Sequence, residues 1–277
     1  MKFAGDGEKA YFQNKWVRTR RFEHEAAEGF SFALMGEGMQ VAETGSLAWL
    51  QHIRPSGGRA NTAMVWNAPQ KTLLALFEAD RPYAVDIETL DTTGYVDEFG
   101  GHKLKFPTFT AHPKVCPITG DMFFFGYING RKAPWLHYGV IDGKSGKLLR
   151  SFPIDIPAPV MMHDIAITAN YVIFYDYNNK YYAPEKVMAG EAKSMYEHDQ
   201  TIPARFGVLP RMAKSDKEII WIDAKQSLAV FHFANGISVF VLTLAYEHIS
   251  TSNEPLQVHK CVHAHIYTYK YLHVHTY

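Results

Sequence analysis

The chain has 277 residues, 47% of them hydrophobic and 14% aromatic, enough to bury a sizeable core as one large domain or two small ones. Its 28 Lys and Arg balance 28 Asp and Glu, so no net charge recommends it to nucleic acid or to an anionic membrane surface. Two cysteines, Cys116 and Cys261, cannot build a disulfide framework, and no run of about 18 apolar residues marks a spanning helix.

The opening residues MKFAGDGEKAYFQNKW carry no apolar signal core and do not read as a transit peptide. Short β-strands then dominate. DMFFFGYI (121–128) follows the turn PITG, and LHYGVID (136–142) runs into GKSGK. KLLRSFPI (147–154), HDIAIT (163–168) and YVIFYD (171–176) follow after short breaks. These runs are rich in Phe, Tyr, Val and Ile and end at Gly, Asp, Asn or Pro, the pattern of an antiparallel meander. Helical periodicity is weak, with one short helical piece expected in PEKVMAGEAKSMYEHD (184–199). Many short strands imply an all-β sandwich, barrel or propeller, and composition alone does not choose among them.

Several catalytic signatures are absent. GKSGK lacks the GxxxxGK[ST] spacing and reads as a hairpin turn. GEGMQV (36–41) lacks the third glycine of a dinucleotide fingerprint. There is no GxSxG elbow, HExxH helix or CxxC pair, and nothing marks Cys116 as a nucleophile. Three isolated histidines are more informative. His112 precedes Pro113, which biases it toward an extended backbone just before a strand. His163 heads an apolar strand, and His232 is expected inside another, in WIDAKQSLAVFHFANG (221–236). Each by itself reads as a core or edge histidine with a satisfied hydrogen bond. Three at similar places on strands some 50–70 residues apart also fit a propeller, where successive sheets can aim one side chain each at a shared axial metal.

The wording of these segments goes further than their spacing. TAHPKVCPITGDMFFFGY (110–127), MMHDIAITANYVIFYD (161–176), ARFGVLPR (204–211) and FHFAN (231–235) closely resemble the carotenoid cleavage dioxygenase family, which also contains the retinoid isomerohydrolases and lignostilbene dioxygenases. NKWVRT (14–19), ANTAMVW (60–66) and LLALFEADRPYAV (73–85) extend the resemblance over residues 4–235, and ARFGVLPR followed by IIWIDA leans toward the plant and algal enzymes. The resemblance implies a seven-bladed β-propeller with non-haem Fe(II) on its axis, held by four histidines. Three of those positions match His112, His163 and His232, and Glu78 matches a glutamate that fixes a ligand from behind. It implies oxidative cleavage, with O2, of a conjugated C=C bond in a carotenoid or apocarotenoid. It also implies peripheral membrane contact for the full-length family and a plastid or cytosolic location.

The chain departs from the family after Asn235. Six of its fourteen histidines lie beyond residue 245, yet GISVFVLTLAYEHIS and CVHAHIYTYKYLHVHTY match no family segment, and the fourth histidine is not found. The expected organisation is an incomplete propeller of about three to four blades over 1–235, and a divergent tail, disordered or non-native, over 236–277. Two function classes follow. One is a dioxygenase represented by a truncated, inactive form; the other is a non-catalytic fragment acting as a binding module or partner of a full-length copy.

Overall fold

The computed structural model describes residues 12–27, 58–129, 132–183 and 185–233 with their side chains, and further backbone at Glu28, at Pro184 and in the strands Lys2–Phe3, Ala10–Tyr11, Phe240–Leu244, Val262–Ile266 and Leu272–His275. Three four-stranded antiparallel sheets dominate. The first is Ala63–Asn67, Thr72–Leu76, Tyr83–Asp86 and Thr92–Tyr95. Lys114–Val115, Met122–Tyr127, Leu136–Ile141 and Leu148–Ile154 make the second. The third is Ala166–Ile167, Tyr171–Asp176, Arg205–Pro210 and Ile220–Asp223. In each, strands neighbour one another in chain order, so every sheet is the up-and-down meander of a propeller blade.

The strands follow from their side chains. Every residue of Met122–Tyr127 and Leu136–Ile141 is buried, because a blade's central strands are covered on both faces by neighbouring sheets. One core joins the second and third sheets through Phe125, Tyr138, Ile154, Val172, Phe174 and Leu209. Another joins the first and second through Leu74, Leu76, Phe109, Phe124 and Ile141. The Tyr138 and Phe174 rings meet edge to face, their centroids 5.7 Å apart. Gly139 faces Phe124 across the strand pair, and a Cβ there would fall 2.2 Å from the Phe124 ring, so the aromatic is accommodated only over glycine.

The GKSGK segment is the hairpin turn expected of it. Asp142 Oδ1 accepts the N–H groups of Lys144 (3.2 Å) and Ser145 (2.6 Å), and Gly146 takes φ +70°. A helix at Pro184–Met188 and the hairpin Asn179–Tyr181/Tyr196–His198 lie between two strands of the third sheet, where the short helical piece was expected.

Three expectations are corrected. The strand expected at 163–168 begins only at Ala166, leaving His163 ahead of it. Residues 228–233 belong to no strand, so His232 lies on an irregular segment rather than inside a strand. A helix at Arg20–Glu28 was not foreseen; ion pairs Arg18–Glu23 and Arg21–Glu25, each 2.6 Å, brace a strongly polar sequence. Within 236–277, the backbone of Phe240–Leu244, Val262–Ile266 and Leu272–His275 forms a three-stranded antiparallel sheet. The other residues of that segment lie outside the described ones.

Candidate metal centre

Each of the three histidines sits where the segment leading into or out of a sheet leaves the hydrogen-bond ladder. The Thr110 N–H donates to the Phe125 carbonyl, and Lys114 is paired with Phe123; His112 lies in the interruption between, its own N–H donating to Thr110 Oγ1 at 3.0 Å. Pro113 has no N–H to give the ladder, which favours the break there. His163 lies in the corresponding gap of the third sheet, between Met161, whose N–H donates to the Asn179 carbonyl, and Ala166, paired with Ile173. His232 arrives on the segment after the third sheet. That segment is tied back by Tyr175 Oη donating to the Leu228 carbonyl at 2.6 Å.

Glu78 follows the strand Thr72–Leu76 in a loop whose shape Asp80 and Arg81 fix. Asp80 accepts from the Gly58 N–H (2.7 Å), the Arg81 N–H (2.8 Å) and Tyr95 Oη (2.6 Å), while the Arg81 guanidinium donates to the carbonyls of Leu104 and Phe106. Glu78 Oε1 is thereby held 2.6 Å from His163 Nδ1.

The structure brings all four sequence-predicted residues together. His112 Nε2 lies 3.0 Å from His163 Nε2, and the three imidazoles offer ligand nitrogens within 4.8 Å of one another. Ring centroids are 4.6 Å apart for His112–His163, 4.7 Å for His112–His232 and 4.9 Å for His163–His232. Two nitrogens bound at right angles to one metal at about 2.1 Å would sit about 3 Å apart, which the first pair matches. Among the described residues this is the only group of three or more His, Cys, Asp or Glu residues so disposed. His137 and His198 are accounted for elsewhere, paired with Ser151 Oγ (2.6 Å) and Ser227 Oγ (2.8 Å).

The electrostatics suit metal ligation. Burial, reinforced by the neighbouring His163, pulls the His112 imidazole down to about 4 against the opposing pull of Asp164. It is therefore neutral at pH 7, with a lone pair free. Burial alone would raise the Glu78 carboxyl, but the adjoining His163 ring outweighs it and holds the group below the usual glutamate range. Glu78 Oε1, 2.6 Å from Nδ1, favours the His163 tautomer with its proton there and the Nε2 lone pair toward the other two rings. The donor set and its backing glutamate fit a divalent metal. The site is open on one side: the His232 side chain is 57% exposed against 10% for His163.

Sequence reading missed Lys114 and Asp164. Both are charged, both lie within two residues of a histidine of the cluster, and they form a largely buried pair of 2.7 Å. The charged residue in HPK and in HD was the available signal.

Comparison with known proteins agrees with the fold. The family model described as retinal pigment epithelial membrane protein matches residues 1–262, which carries the likeness past the boundary expected at 235. Carotenoid 9,10(9',10')-cleavage dioxygenase 1 of Pisum sativum is 40% identical over 243 residues, covering 82% of this chain and 42% of the relative. Lignostilbene dioxygenase of Pseudomonas brassicacearum superposes with a TM-score of 0.60 at 27% identity, over 81% of this chain and 42% of that one. Cobalt-substituted ACO of Synechocystis shares the fold, with a TM-score of 0.67 at 23% identity, over 95% of this chain and 57% of that one. The chain thus spans about half the length of the curated relatives it matches. By its sequence and by its blades, the chain belongs to the retinal pigment epithelial membrane protein family, that of the carotenoid cleavage dioxygenases.

Proposed function

We propose that His112, His163 and His232 hold Fe(II), and that the chemistry of the site is oxidative cleavage, with O2, of a conjugated C=C bond in a carotenoid or apocarotenoid. The convergence of three imidazoles, one backed by Glu78, carries this reading. Bound Fe(II) supplies the reactivity toward dioxygen that imidazole and carboxylate lack. The chain's own residues do the rest. Burial keeps His112 neutral, Glu78 stands 2.6 Å from His163 Nδ1 and backs that ring, and His232 faces the open side. The Phe231 ring stands 4.7 Å from the His163 ring and is partly exposed, offering an apolar edge against which a polyene packs at the metal.

No fourth histidine joins the three among the described residues, and the His232 side is open. We therefore propose that these 277 residues alone take up metal without turning a polyene over. The test is metal content per chain, with oxygen uptake and absorbance of an added apocarotenoid followed in parallel. One metal ion per chain, lost in His163→Ala, is expected, with no bleaching of the polyene. A chain that takes up no metal, or takes it up equally with His163→Ala, refutes the site. Bleaching with stoichiometric oxygen uptake refutes the inactivity.

A further inference from the structure

We propose that Lys114 and Asp164 are positioning residues for His232, clasping the peptide next to it from both sides. Lys114 Nζ lies 2.7 Å from Asp164 Oδ1 and also donates to the Phe233 carbonyl at 3.2 Å. Asp164 Oδ2 accepts the Phe233 N–H at 2.8 Å, and Oδ1 accepts the Ile165 N–H at 2.7 Å. Both polar groups of Phe233 are thus held by one ion pair, whose Lys114 and Asp164 side chains are 13% and 1% exposed. The arrangement repeats in the sequence. Lys114 stands two residues after His112, Asp164 one after His163, and Phe233 one after His232. The clasp therefore ties together the three segments that carry the ligands.

The physical need for it lies in the His232 segment. Residues 228–233 are in no strand, so no ladder fixes their backbone. The His232 side chain is largely exposed and gains little from packing. His232 Nδ1 is 3.9 Å from Asp164 Oδ2, beyond hydrogen-bonding distance, so the carboxylate grips the backbone and not the ring. What remains to set His232 is the neighbouring peptide, with the Phe233 side chain buried among Tyr175, Phe206 and Val230. Buried ion pairs seldom add net stability over apolar residues of similar size. The function of this pair is geometric.

The inference rests on the metal reading above for its ligand, but not for its geometry. The test is Co(II) titration of the 277-residue chain, followed by the d–d absorption of the bound ion. In Lys114→Met/Asp164→Leu, Co(II) affinity is expected to fall roughly ten- to hundredfold, as for other groups that orient metal ligands. The band should move to that of His232→Ala, and adding His232→Ala should cost nothing further. Unchanged affinity, or a full additional loss in the combined variant, overturns the clasp. Should the double variant not fold, Asp164→Asn serves: one carbonyl oxygen then faces two backbone donors, and a smaller loss with the same spectral movement is expected. A metal-independent reading comes from hydrogen exchange at the Phe233 amide of the metal-free chain. Protection in the wild type, lowered in the Asp164 variants, supports the clasp, and equal exchange in all of them overturns it. A wild-type chain that binds no Co(II) refutes the metal reading, while Phe233 exchange still decides the clasp.

Discussion

Glu78 offers the sharpest perturbation of the site, because a glutamine removes its charge while keeping an oxygen that accepts from His163. The carboxylate is buried and 2.6 Å from His163 Nδ1, so little solvent screens it. Groups that orient a metal-bound imidazole are worth about ten- to hundredfold in metal affinity. Glu78→Gln loses charge alone and belongs at the lower end, about tenfold or 1.4 kcal/mol. Glu78→Ala also leaves a buried Nδ1–H without its partner and belongs at the upper end, about hundredfold or 2.7 kcal/mol. The carboxyl is held below the usual glutamate range, so both deficits are full at pH 7. Isothermal titration with Co(II) at pH 7 measures them, with unfolding curves taken in parallel to separate affinity from stability. Glu78→Gln binding as tightly as wild type would refute the claim that the Glu78 charge supports His163, and a larger loss for Gln than for Ala would refute the ordering.

Two other outcomes follow from buried groups outside the three-histidine cluster. The Tyr138 hydroxyl is fully buried and meets no hydrogen-bond partner among the described residues, so Tyr138→Phe should stabilise the chain by about 1 kcal/mol in urea denaturation. A loss of stability would mean that the hydroxyl is satisfied. His137 is pulled from 6.5 down to about 4, by burial first and then by Lys105. Between those values the unfolded chain binds more protons than the folded one, so this contribution to stability is complete above about pH 6.5 and lost as pH falls toward about 4. The metal-free chain should unfold at progressively lower urea over that range, and His137→Gln should flatten the decline. An unchanged slope would exclude His137 as its source.

Much of the fold was legible because burial on both faces writes itself into the chain as unbroken apolar runs. MFFFGY, LHYGVI and YVIFYD are such runs, and they became the central strands of two blades. The segment AVFHF has the same look but pairs with no neighbouring strand among the described residues, so its apolar pattern misled about His232. The helix Arg20–Glu28 was invisible for the opposite reason. Its support is tertiary, with the Arg20 guanidinium 3.8 Å above the Tyr95 ring and the Arg20 N–H donating to Tyr83 Oη. His112, His163, His232 and Glu78 could be named from the wording of their segments. Lys114 and Asp164 could not, because a lone charge beside an apolar strand ordinarily faces water. Only the meeting of residues fifty positions apart shows otherwise.

The same clasp bears on the order in which the molecule comes together. In the first two sheets the strands pair with their neighbours in the chain through short loops that are cheap to close, and only the third carries a long excursion, between Asp176 and Arg205. The histidine cluster is built from remote pairings: His112 with His163 across 51 positions, Asp164 with Phe233 across 69, and Lys114 with Phe233 across 119. On a ribosome the chain must have emerged past Phe233 before the third imidazole can be seated. If the three histidines hold a metal as proposed, its full capture would report completed assembly of the preceding sheets, since a chain not yet past Phe233 offers at most two of the three imidazoles.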